Sequence, residues 1–278
     1  MKKLRPLPRS GSIEGVRPRL ALCALLSLCL YSVPARSESV AVQRKAKATR
    51  LAAHSRSLGY PWRGRLERGV LLRPSEHVQY VASYRAGGRF YGTAELVHLL
   101  QDAARQVATH HPGAKLALGE LSRSGGGDIS DHASHENGRD VDLAFYMVDA
   151  RGRPAYADAF LPSDPRGRIK RKGLQDLLFD DKRNWQLIAA LLRSKEARVQ
   201  RIFICSYLKR RLLHQGRKVG AAHALLEHAA RVMVEPAQGH PHRNHFHVRI
   251  YCAPADRPRC KDSPPFHSFD AASLANAD

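Results

Sequence analysis

Histidine and carboxylate crowd two short stretches of this chain. The first, "SDHASHENGRDVDLAFYM" (residues 130–147), carries His132, His135 and Asp142. The second, "GHPHRNHFHVRIYC" (residues 239–252), carries His240, His242, His245 and His247. Imidazole and carboxylate together suit a borderline divalent metal such as zinc. Three protein ligands leave a fourth tetrahedral position open, and a metal there lowers the pKa of water to about 7. On an alternating strand, residues two apart share a face, so His245 and His247 point the same way. Both can reach one metal, or one can bind while the other moves protons. His135 and Asp142 stand on either side of a turn helped by Gly138, and can converge from opposite sides.

Other chemistries lack their residues. "HENGR" begins like a zinc-protease helix motif, but Arg139 stands where the second histidine belongs. There is no G-x-S-x-G nucleophile elbow and no Walker loop. Gly125–Gly127 is not followed by Lys-Ser/Thr, so it reads as a flexible rim rather than a phosphate cradle.

The elements that must position these residues are legible in outline. "TAELVHLLQDAARQVATHH" has Thr93 as an N-cap and apolar residues at helical spacing from Leu96 to Val107. "KLALGELS" reads as a strand. In "RDVDLAFYMV", Val141, Leu143, Phe145 and Met147 face one way and Asp140, Asp142, Ala144 and Tyr146 the other. A polar insertion, Arg151 to Gly173, follows. "NWQLIAALLRS" is an amphipathic helix. "RVQRIFICSYL" is a buried strand leading into a short basic helix around Leu208–His214, and "AAHALLEHAARVMV" is another helix. In "HFHVRIYC", His245, His247, Arg249 and Tyr251 share one face, and Phe246, Val248 and Ile250 the other. Strands and helices without regular alternation predict an α+β fold: a central antiparallel sheet with helices packed on it, in a single catalytic domain.

At 278 residues, 43% hydrophobic and 26% charged, the chain is long and apolar enough to bury a core. A basic start, an apolar run from Leu20 to Pro34 and the small residues Val33 and Ala35 have the order of an export signal, predicting cleavage after Ala35. The run is shorter than the ~20 residues that span a bilayer, so no stable membrane insertion is expected after cleavage. Residues 36–60 are expected to be a flexible basic lead-in, 61–260 the folded zinc-binding domain, and 261–278 a disordered tail. The formal charge is +21, and losing the six Lys/Arg and one Glu of residues 1–35 leaves +16. Such a charge favours an anionic polymer as partner. Nucleic acid is disfavoured by 7% aromatic content, by the lack of a recognition motif and by the export signal. Of the cysteines outside the signal, Cys252 can pair with Cys260 across a Pro-containing turn, or with Cys205 across neighbouring strands; both remain open. Oligomeric state is not legible.

"DHASHENGRDVDLAF" and "HPHRNHFHVRIYC" together resemble the paired signatures of the penicillin-insensitive murein endopeptidases. These belong to a wider group with lysostaphin, the D-Ala-D-Ala metallopeptidases and the hedgehog signalling domain. The resemblance runs from about Val81 to Cys260 and includes "RFYGTAELVHLLQDAA" and "LALGELSRSGGG". It implies that His135, Asp142 and His247 are zinc ligands, that His245 is the catalytic histidine, and that His242 and His132 are further active-site histidines. His240 has no counterpart. The chain departs from the family at Glu136, where glutamine is usual, and in the segments 151–173 and 205–240. The implied reaction is zinc-dependent hydrolysis of the D-alanyl–meso-diaminopimelyl cross-link of peptidoglycan, in the periplasm. The alternatives are a D,D-carboxypeptidase or dipeptidase on the same metal site, or a non-catalytic zinc-containing wall-binding domain.

Overall fold

Fourteen short strands and four α-helices are described in a computed structural model, covering residues 54–130 and 132–267. All lie within the compact unit Thr49–Asp278. The predicted signal, residues 36–53 and residues 268–278 lie outside the described residues.

The strands run in chain order as β1 (Arg56–Tyr60), β2 (Arg63–Glu67), β3 (Val70–Leu71), β4 (Val78–Tyr80), β5 (Tyr91–Gly92), β6 (Leu116–Leu118) and β7 (Asp140–Ala144). Then come β8 (Met147–Val148), β9 (Pro154–Ala155), β10 (Arg168–Ile169), β11 (Leu177–Phe179), β12 (Val199–Phe203), β13 (Met233–Val234) and β14 (His245–Ile250). The helices are α1 (Ala94–His110), α2 (Asp181–Arg193), α3 (Ser206–Lys218) and α4 (His223–Val232). The α+β class expected from sequence is what forms. The main sheet has the order β13-β12-β14-β7-β6-β4. Its inner four strands are antiparallel, and each edge strand joins in parallel.

Alternation decides which face holds the core. Phe246, Val248 and Ile250 of β14, with Val141 and Leu143 of β7, enter one large apolar cluster with α1 and α2. α1 starts at Thr93, whose hydroxyl accepts from the Leu96 N–H, and buries Leu96, Leu99, Leu100, Ala103 and Val107. α2 starts at Asp180, whose carboxylate accepts from the N–H groups of Lys182 and Arg183. α3 extends beyond the predicted segment and packs on α2. A side chain at Gly216 would overlap Trp185, so glycine sets that approach.

The opposite face of the sheet carries the chemistry. Asp140 and Asp142 of β7 lie there, and β14 pairs with β7 in a register that sets His247 against Asp142 and Arg249 against Asp140. The run expected as one strand over "RDVDLAFYMV" breaks after Ala144. The Asn184 side chain accepts from the Tyr146 N–H and donates to its carbonyl, satisfying the backbone there. The chain then enters a second, four-stranded sheet of order β10-β11-β8-β9.

Two expected boundaries are corrected. The lead-in to residue 60 does not stay flexible throughout, because β1 pairs with β2 from Arg56↔Glu67 to Tyr60↔Arg63. The tail does not begin at 261. Asp262 accepts from the fully buried Arg139 at 2.8 Å and from the Cys252 N–H at 2.9 Å, while the Ser263 carbonyl accepts from Gln200. Of the two cysteine pairings, Cys252–Cys260 forms and Cys205 is free and buried. Among the described residues no helix is long and apolar enough to cross a membrane.

Candidate metal centre

Asp142 Oδ1 is the hub. His247 Nδ1 lies 3.2 Å from it, His135 Nε2 3.4 Å and His245 Nε2 3.4 Å. The proton of each imidazole is engaged elsewhere. His135 Nδ1 donates to the Leu121 carbonyl at 2.8 Å. His247 Nε2 donates to Asp140 Oδ1 at 3.0 Å. His245 Nδ1 donates to Asn244 Oδ1 at 2.8 Å. Neutral imidazole carries one N–H, so the three inner nitrogens present lone pairs toward a carboxylate oxygen. Lone pairs facing lone pairs repel unless a proton or a cation stands between them. His135 Nε2 and Asp142 Oδ1 are buried with no hydrogen-bond partner, the mark of donor atoms waiting for a cation. The residues therefore fit a metal.

Charge tells the same story. Burial would raise the Asp142 carboxyl, but the imidazoles of His135 and His245 hold it well below the usual carboxylate range. Burial would lower His247, yet its hydrogen bond to Asp140 and the negative charges of Asp140 and Asp142 outweigh it and lift the imidazole to about 9, so without a cation a proton shields Nδ1 from Asp142. Asp140 stays ionised against its own burial because Arg249 donates to it at 2.6 Å and His247 at 3.0 Å. His135 is held with φ +77°, a left-handed conformation for a non-glycine residue. Its N–H donates to Asp140 Oδ2, and its carbonyl accepts from Ser122 Oγ.

His132, expected as a further active-site histidine, lies at the edge of this group. Its Nε2 donates to Glu120 at 2.7 Å, and its Nδ1 lies 3.7 Å from Asp142 Oδ2. Donor atoms of His132, His135 and Asp142 all lie within 4.8 Å of one another, so these three are positioned to hold a metal. The Glu120 bond, with help from Asp142, raises the His132 pKa.

His242 and His245 sit beside this group. His242, at φ +48°, donates from Nδ1 to the His240 carbonyl, leaving Nε2 free. Burial, then the imidazoles of His245 and His247, lower it to about 4, so it is neutral at pH 7. His240 is exposed and enters through its backbone carbonyl alone. The site opens into a cleft of about 800 Å³ whose walls include Trp62, Tyr84, Arg89, Phe160 and Phe203.

The sequence reading missed several of these residues. Asp140 had a signal, since it shares a strand face with Asp142. Glu120, which bonds His132, and Arg89, paired with Glu120 at 3.2 Å, had none, because only the folded chain brings these separate segments together.

The sequence profile of a family described as penicillin-insensitive murein endopeptidase matches residues 57–275. The chain belongs to this family. A penicillin-insensitive murein endopeptidase of Haemophilus influenzae is 30% identical over 190 residues, which is 66% of this chain and 58% of that protein. One of the same description from Escherichia coli O1:K1 is 28% identical over 201 residues, 68% of this chain and 63% of its own. The chain thus spans about three-fifths of the length of these relatives. As a member of the murein endopeptidase family, it holds His245, His247 and Asp142 on two paired strands, with His135 in the loop that leads into β7.

Proposed function

We propose that this chain is a zinc-dependent murein endopeptidase that hydrolyses the D-alanyl–meso-diaminopimelyl cross-link in the periplasm, after removal of residues 1–35. Three inward lone pairs around Asp142 Oδ1 carry the reading, together with family membership. His135, Asp142 and His247 would hold the zinc, and His132 adds a further donor within reach. Zinc, when bound, supplies a Lewis acid that polarises the scissile carbonyl and acidifies water.

The chain's own residues do the rest. Asn244 fixes the His245 tautomer, so Nε2 is free to accept a proton from the attacking water. The water oxygen bonds to the carbonyl carbon, and the carbon–nitrogen bond breaks. The proton taken by His245 goes to the departing amine. His242, neutral at pH 7 with a lone pair at Nε2, stands 4.9 Å ring to ring from His245 and favours the positive charge that develops on the His245 ring. No serine is acylated on this route, so β-lactams have no target.

Digestion of purified cross-linked sacculi with the mature chain tests this, with products identified by mass. Cross-linked dimers should become monomers, a chelator should stop the reaction, and zinc should restore it. About one zinc per chain is expected. Sacculi left intact by a zinc-loaded chain overturn the proposal.

A further inference from the structure

The Arg151–Gly173 insertion forms a strap along one wall of the cleft. β9 and β10, near its ends, pair into the four-stranded sheet. The residues between are tied to four places. The Lys115 N–H donates to the Tyr156 hydroxyl at 2.8 Å, and the Ser83 N–H donates to the Asp158 carbonyl at 2.8 Å. The Ser163 N–H donates to the Arg243 carbonyl at 2.8 Å, and the Tyr207 hydroxyl donates to the Ser163 carbonyl. Phe160 lies between these anchors. Its ring stacks on the His245 imidazole, centroids 4.6 Å apart and planes 14° apart. Tyr84 supports it at 4.8 Å.

Small residues make the room. Ala117 and Ala144 face this side of the sheet beneath Phe160 and Tyr84. A side chain at Gly119 would overlap the tip of the Phe160 ring. The Asn244 bond fixes one edge of the His245 imidazole but leaves the ring free to tilt about that bond. A flat aromatic face stacked on the ring, with the His242 ring 4.9 Å away, restricts the tilt.

We propose that Phe160 is a positioning residue: through the strap, it fixes the plane of the His245 imidazole, and so the direction of Nε2. This rests on the role given to His245 above. Small misplacements of a reacting group can cost ~100-fold in rate, so the plane matters.

Two variants reach the contact from opposite sides. Phe160→Leu keeps apolar bulk without a flat face, and Gly119→Ala pushes the ring away. Tyrosine at 160 is unsuitable, because its hydroxyl would meet the Gly119 backbone. On a soluble cross-linked muropeptide, each should lower kcat by about 10- to 100-fold. KM, zinc content and melting temperature should stay near the wild-type values. Gly119→Ala should cost less in the Phe160→Leu background than alone, because the two lesions share one contact. In the metal-free chain, the His245 ring resonance, assigned by its loss in His245→Gln, should shift in both variants. That measurement stands even if the wild type cleaves nothing, which would sink the enzymatic reading but not the contact. The positioning role is overturned by an unmoved resonance with unchanged kcat, or by zinc and fold lost in step with kcat in both variants.

Discussion

Asp140 decides which nitrogen of His247 faces the centre. Its carboxylate accepts from His247 Nε2, from Arg249 Nε and from the His135 N–H, all while fully buried. One acidic side chain thereby sets the tautomer of one candidate ligand and the backbone of another. Asparagine has the same shape but offers these three donors only one oxygen, and its amide adds a donor of its own. At least one partner is then left unpaired in a dry site. Asp140→Asn is therefore expected to weaken zinc binding by about 10- to 100-fold. Competition with a chromophoric chelator measures it, at a temperature where circular dichroism shows the variant folded. Affinity equal to wild type would remove Asp140 from this role. His245→Gln should behave oppositely: zinc retained, turnover lost.

The elements show which parts of the site the sequence makes legible. Period-two alternation in "RDVDLAF" and "HFHVRIY" assigned every inward and outward residue of β7 and β14 correctly, because one face must enter the core and the other cannot. Phe160 was illegible, because the insertion has no period and its contact depends on anchors far away in sequence. The ordering of residues 261–267 was hidden for a similar reason. A polar, Pro-rich tail gives no apolar pattern, yet Asp262 supplies the charge that buried Arg139 needs. Removing one member of a buried pair typically costs ~3–5 kcal/mol, whereas replacing both by apolar groups costs far less. Asp262→Ala should therefore destabilise the chain strongly by chemical denaturation, and Arg139→Met with Asp262→Ala should recover part of the loss. Additive losses would show that the pair is not coupled. On α4, burial lowers buried His228 to about 4. The unfolded chain takes up that proton near pH 6.5. Stability from the neutral imidazole is thus complete above pH 6.5 and is lost as pH falls toward 4. Melting temperature should decline over this window, and His228→Gln should flatten the decline.

At the scale of the molecule, charge bears on how a chain with the proposed function would find its polymer. Without residues 1–35 the chain carries +16. Exposed basic side chains such as Arg65, Arg85, Arg151 and Lys218 contribute to it. Murein carries free carboxylates, so a positive protein would gather on it by long-range attraction before any peptide enters the cleft. An arginine-rich composition with no such role would give the same total. Salt separates the two, since the Debye length shrinks from about 10 Å at 0.1 M to about 3 Å at 1 M. Attraction between exposed charges fades over that range, whereas contacts within the cleft are screened much less. A His245→Gln chain, expected not to turn over, should therefore pellet with purified sacculi at low salt and release progressively as sodium chloride rises. Acetylating the lysines should weaken retention at low salt in the same direction, since each acetyl group removes one positive charge. Retention that ignores both salt and acetylation would assign binding to the cleft alone, leaving the excess charge without a part in substrate capture.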